Sequence, residues 1–294
     1  MIFSTQTDVL ANKYGMETAI EMFAAAGYPA LDISLFNRNE LPFVGDFYEY
    51  AERIRKKADS FGVKFIQAHA PFYWKYEVYV NEIIPLLPKA FEFCSLLGVR
   101  DVVVHPIQNG RFYGREKEIF DLNVEFYRSL APIARKFGIR IGIENMWQNH
   151  PVSRNICDDI LADPHELARM YDVLNDPEVF TVNLDLGHVA LCGREPEDAI
   201  RIIGGSRLGA LHVHDVDYCT DMHTLPGTSK LNWMKICQAL ADVDYQGSFN
   251  LEADNFFVGF PPRHYQRVAT FMADTCRMFV EIIEEMKKNN KAGN

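Results

Sequence analysis

Short apolar runs that stop on a charged or imidazole group recur along the chain. Four of them, IRIGIENM, FTVNLDLGH, LGALHVHD and GSFNLEAD, carry Glu144, Asp185, His212 and Glu252. Longer stretches with apolar residues at helical spacing separate such runs. Read from the start, strands are expected near 2–7, 30–35, 63–70, 99–106, 139–146, 180–188, 208–215 and 247–254. Helices are expected near 15–26, 46–61, 77–97, 115–137, 164–174, 195–203, 231–241 and 264–288. Alternation of this kind, with β-rich apolar strands, implies a parallel sheet covered by helices. Gly27, Gly62, Gly98 and Gly138 each stand where a helix gives way to a strand, which is where a left-handed residue ends a helix.

Eight strand–helix pairs fit one α/β domain, a (β/α)8 TIM barrel spanning 1–294. An open doubly wound sheet is the alternative, weakened because no G-x-G-x-x-G follows the first strand. Loops entering strands are short. Several leaving them are long, near 147–163, 216–230 and 255–263, as in a barrel whose active face lies at the strand C-termini. The final KKNNKAGN reads as a frayed polar tail.

Barrel closure would bring the four strand-end groups to one mouth. Three carboxylates and an imidazole there would repel one another or stay protonated unless a cation sat between them. Glu144, Asp185, His212 and Glu252 therefore read as a divalent-metal site. Nitrogen and oxygen ligands without cysteine favour a catalytic centre holding Zn²⁺, Mn²⁺, Co²⁺ or Fe²⁺, with Mn²⁺ or Zn²⁺ the expected cofactor. Glu144 and Glu252 come from the fifth and eighth strands. Two carboxylates flanking a substrate could carry a proton from one face to the other. His69, His105, His188, Asp221 and His223 lie at or near other strand ends, as further metal ligands or as substrate contacts. Trp74, Trp147 and Phe257 lie on the same loops and could shape a sugar site or form small loop cores.

Composition narrows the partners. Lys and Arg number 30 against 40 Asp and Glu, a net charge of −10. That argues against nucleic acid and anionic membranes, which need clustered cations. The N-terminus lacks the basic and apolar regions of a signal peptide, and no apolar run has membrane-spanning length. Six cysteines without C-x-x-C spacing fit a reduced, cytoplasmic protein.

The strings IENM, NLDLGH, LHVHDVD, DMHTLPG and NLEAD, in register on successive strands, resemble the xylose isomerase-like TIM barrel superfamily. That superfamily includes sugar phosphate isomerases and epimerases, and endonuclease IV. In the epimerase branch the resemblance implies one divalent ion on Glu144, Asp185, His212 and Glu252. It also implies an acid/base pair in Glu144 and Glu252, and substrate contact by His188. The implied step is deprotonation beside a ketose carbonyl, a metal-stabilised enediolate and reprotonation elsewhere. The substrate would be a sugar or sugar phosphate, and a dimer or tetramer is expected. In the endonuclease IV branch the resemblance implies three zinc ions on those four residues plus His69, His105, His188, Asp221 and His223, cleaving phosphodiesters. A sugar-binding barrel without turnover is the third alternative.

Overall fold

The computed structural model describes every residue except Glu40, Gly293 and Asn294. Eight strands form the barrel wall: β1 (Phe3–Thr5), β2 (Ala30–Ser34), β3 (Lys64–His69), β4 (Asp101–Val104), β5 (Arg140–Glu144), β6 (Phe180–Asp185), β7 (Leu208–His212) and β8 (Phe249–Leu251). From β2 to β7 each pairs in parallel with the next, and β1 pairs in parallel with β8. Single parallel bridges, Gln6 with Asp32 and Val213 with Leu251, join the two sheets and close the ring. Helices follow the strands and pack outside, as the 3.6-residue periodicity predicts.

Alternation in the strands separates two environments. Ile141 and Ile143, Val182 and Leu184, and Phe249 and Leu251 are buried and belong to the hydrophobic core. Several intervening positions are polar. Ser4, Asp32, Gln67, Asn183 and Asn250 are all at most 1% exposed. The Ser4 hydroxyl donates to Asn250 Oδ1 at 2.7 Å, and Asn250 Nδ2 donates to Asp32 Oδ2 at 2.8 Å. The barrel interior thus carries a hydrogen-bonded chain of polar groups, Ser4, Asn250 and Asp32, beside apolar Val103 and Gly142.

Gly98 and Gly138 end their helices with φ of 78° and 67°, a backbone that L side chains resist. The expected helix at 15–26 begins at Met16 and is preceded by a separate one, Asp8–Tyr14. The expected helix at 77–97 is regular only over Leu87–Leu97. Residues 76–86 form α, π and 3₁₀ turns in succession around Pro85. The strand expected at 180–188 stops at Asp185, and Leu186–Leu191 is helical. A short antiparallel hairpin, Trp147–Asn149 with Ile156–Asp158, occupies the loop expected at 147–163. The last helix runs from Tyr265 through Ala292, so most of the tail expected to fray is helical, and its last two residues lie outside those described.

Candidate metal centre

Parallel register delivers the four strand-end groups side by side. Glu144 pairs across to Asn183, and Asp185 pairs to His212. Glu252 follows β8, its backbone N–H donating to Val213 O. The His212 Nδ1 atom lies 2.5 Å from Glu144 Oε1, 3.0 Å from Glu252 Oε2 and 4.0 Å from Asp185 Oδ2. Gln6 Nε2 donates to Glu252 Oε1 at 2.7 Å, and Asn183 Nδ2 to Glu144 Oε1 at 3.2 Å. One ligand atom from each of Glu144, Asp185, His212 and Glu252 falls within 4.8 Å of the others.

Glu144 faces two ways. Its Oε2 lies 2.9 Å from His105 Nε2 and 3.7 Å from His69 Nε2. His69 and His105 bring their Nε2 atoms within 3.1 Å of each other, and His69 Nδ1 faces Ala70 O. His69, His105 and Glu144 form a second convergent set, and His188, Asp221 and His223 a third. In that third set His223 Nε2 is 3.2 Å from Asp221 and its Nδ1 is 3.0 Å from Asp254. The structure thus gathers all the polar residues singled out from the sequence into three groups, the first two sharing Glu144 and the third sharing no residue with them.

Asp185 explains the early end of β6. Its carboxylate accepts the His188 backbone N–H at 2.7 Å and caps the helix Leu186–Leu191. The cap turns His188 inward, with its Nδ1 against Asn145 O at 2.8 Å. Asn145 also binds the Asp185 backbone in both directions. His214 Nε2 touches Asp185 Oδ1 at 3.1 Å, and its ring stacks on His223 at 4.2 Å. Gly187 makes room: a Cβ there would come within 2.0 Å of the His214 ring. His214 shares its strand end with His212, and the sequence marks the two together. Gln6 carries no sequence signal of a role, and Asn145 only its place one residue after Glu144.

Burial and charge oppose each other here. Burial pushes the Glu144 carboxyl up, but the imidazoles of His212 and His105 overcome it and hold it well below the usual range. Asp185 is likewise lowered against burial, by His188 and His214. Burial pulls His212 down, but Glu252 and Glu144 lift it well above an ordinary histidine. His69 is depressed by burial and by the His105 charge. Within 4.0 Å, the charged partners of Glu144, Asp185 and Glu252 among the described residues are all imidazoles. Buried carboxylates with neither Lys nor Arg beside them suit a divalent cation.

Two tryptophans stand over this mouth. Trp147 is 6.5 Å from Trp74 and 6.3 Å from the His188 ring, centroid to centroid. A bidentate pair, Arg194 to Asp158 at 2.7 and 2.8 Å, anchors the hairpin that carries Trp147. Phe257 is buried instead, with its ring edge-on to Tyr265 at 5.1 Å.

A parallel ring with carboxylates and imidazoles converging at its C-terminal mouth defines a (β/α)8 barrel with a candidate metal centre where such barrels carry their sites. The chain belongs to the xylose isomerase-like TIM barrel family, whose model matches residues 20–275. It is 25% identical over 235 residues to an uncharacterized protein of Methanocaldococcus jannaschii, covering 77% of this chain and 73% of that one. It is 27% identical over 125 residues to the D-psicose 3-epimerase of Enterocloster bolteae, covering 42% of this chain and 37% of that one. In fold it matches the crystal structure of a D-tagatose 3-epimerase-like protein with a TM-score of 0.76. That match has 21% identity and covers 97% of this chain and 99% of the other. No helix among the described residues is long and apolar enough to cross a membrane.

Proposed function

We propose that the protein is a divalent-metal-dependent isomerase or epimerase acting on a sugar or sugar-like polyol. One observation carries this reading: Glu144 and Glu252 approach the same buried imbalance of charge from two different strands, meeting at His212 Nδ1. Glu144, Asp185, His212 and Glu252 would hold the ion, Mn²⁺ or Zn²⁺, whose chemistry when bound is Lewis-acid polarisation of a carbonyl. Glu252, oriented by Gln6 on one oxygen, takes the proton from the carbon beside that carbonyl with the other. Glu144 serves the opposite face. His188, whose Nδ1 is committed to Asn145, offers Nε2 to a substrate hydroxyl. Trp74 and Trp147 cover the apolar face of the sugar and shed water from it. The epimerase names among its structural and sequence relatives support the reading.

The test is solvent exchange of a carbon-bound substrate proton. Glu252→Gln keeps the side chain's shape and its bond to Gln6. It should leave the circular dichroism spectrum unchanged and slow exchange by roughly 10²–10⁴-fold. Exchange at the wild-type rate would remove the acid/base role.

A second reading, a zinc-dependent phosphodiesterase, rests on the two further convergent sets that flank the quartet. It predicts about three zinc ions per chain on elemental analysis, where the first reading predicts one. Against it, three loop arginines are already paired with carboxylates. Arg115 binds Glu118 at 2.6 Å, Arg38 binds Glu82 at 3.1 Å and Arg194 binds Asp158. Duplex recognition needs cations that are not so engaged.

A further inference from the structure

A cavity of about 650 Å³ opens beside the centre, between the helix Asp8–Tyr14 and the segment that follows β2. Its polar wall consists of Asp8, Asn12, Glu17, Ser34, Asn37 and Asn39. Two of its walls belong to the centre's own surroundings. Phe36 packs edge-on to the His69 ring at 4.9 Å. Asp8 senses the charges of Asp254, Glu252 and His223. The size falls within the range of small-molecule sites, about 300–1,000 Å³.

Asp8 is the feature that asks for a ligand. It lines the cavity as a partly exposed residue, so its carboxylate is within reach of a ligand there. Burial and the Asp254 carboxylate also push Asp8 up to about 7. Near neutral pH it can therefore both donate and accept, which is what a hydroxyl group requires of a partner.

The wall's chemistry argues against an anion. Among the described residues, no Lys or Arg lines the cavity. The one element there that favours negative charge is the N-terminus of the helix Met16–Ala26. Glu17 already serves it: its carboxylate is lowered by the Arg53 hydrogen bond and by its own backbone N–H, against burial. Arg53 is directed at Glu17 at 2.5 Å. The amides and the serine are neutral groups of the kind that read hydroxyls.

We propose that this cavity is a subsite for the uncharged polyhydroxyl or glycosyl part of the substrate, with Asp8 bonding a hydroxyl, and that it disfavours phosphorylated sugars. This rests on the sugar reading above and narrows it. The test is calorimetric titration of Mn²⁺-loaded protein with free ketohexoses and with their 6-phosphates. At least one free ketohexose should bind, and its 6-phosphate should bind about tenfold more weakly or worse. Asp8→Ala should weaken the free sugar about tenfold, the worth of one hydrogen bond to a polar group. Asp8→Asn, which keeps shape and polarity, should recover most of that loss, and melting curves should show both variants folded. A 6-phosphate that binds as tightly as the free sugar overturns the subsite, and so does a free sugar that Asp8→Ala binds unchanged. If no sugar of either kind binds, the sugar reading falls and the subsite with it.

Discussion

Glu144, Asp185 and His212 end barrel strands, whereas Asp221 and His223 ride on the loop that follows β7. The strand-borne side chains are at most 1% exposed, and the loop-borne pair about 20%. A parallel ladder fixes the first set through its neighbours, with Asp185 set beside His212 by register alone. The loop has no ladder beyond one antiparallel bridge, Asp215 with Thr224. It is held by one buried carboxylate instead. Asp215 accepts from the backbone N–H groups of Val216, Gly227, Ser229 and Leu231 and from the Trp233 indole, all at 2.9–3.1 Å. A barrel thus secures a site in two ways. Strands give position at no local cost, and loops need a dedicated anchor.

The sharpest break of that comparison is Asp215→Ala. It strands a set of buried donors at once, and should cost roughly 3–5 kcal/mol of stability. The damage should be uneven. Amide hydrogen exchange should rise across 216–231 while β5, β6 and β7 stay protected. Uniform loss of protection would mean that the loop and the strands are a single cooperative unit, and the distinction would fail.

The same contrast governs what could be read from the chain. A strand that ends on a charge leaves a mark, an apolar run followed by Glu144 or His212, and alternation with helical periods makes the barrel legible. An anchor such as Asp215 leaves none, because accepting from its own loop's backbone has no period. Asp8, on a helix that was not expected, was missed for a similar reason: its meaning lies in what surrounds it. The Asp185–His188 turn was misread in type because Leu186, Val189, Ala190 and Leu191 are buried on every side. A short, fully buried apolar run does not distinguish strand from helix. The polar chain inside the barrel was hidden too, since Ser4, Asp32 and Asn250 look like interruptions until the register brings them together.

Beneath the strand-held groups, Asp32 gives a smaller test. Burial pushes it from 3.8 up to about 7, and the nearby Glu252 charge adds to burial while His212 works against it. A carboxyl raised in the folded state contributes stability that is complete below its unfolded value and is lost as pH rises through the folded one. Between pH 4 and 7, chelator-stripped wild type should therefore lose up to about 4 kcal/mol through this group. Asp32→Asn fixes the neutral form, so urea denaturation should find it close to wild type at pH 4 and more stable at pH 8. Parallel profiles for the two proteins would show that Asp32 ionises without penalty inside the barrel.

The mildest test separates the two sets by role. If the strand-borne quartet holds the single ion and the loop-borne groups address substrate, His223→Ala should leave metal content at one ion per chain. Stability should move by about 1 kcal/mol or less, since the His223–Asp221 and His223–Asp254 pairs are only partly buried. The effect should then fall on KM more than on kcat, because a group that binds a spectator hydroxyl contributes equally to ground and transition states. If His223→Ala instead lowers metal content from a higher wild-type value, the loop-borne set is a ligand set in its own right. The nine convergent side chains would then be read together, and phosphodiester hydrolysis would displace sugar isomerisation as the better account of this mouth.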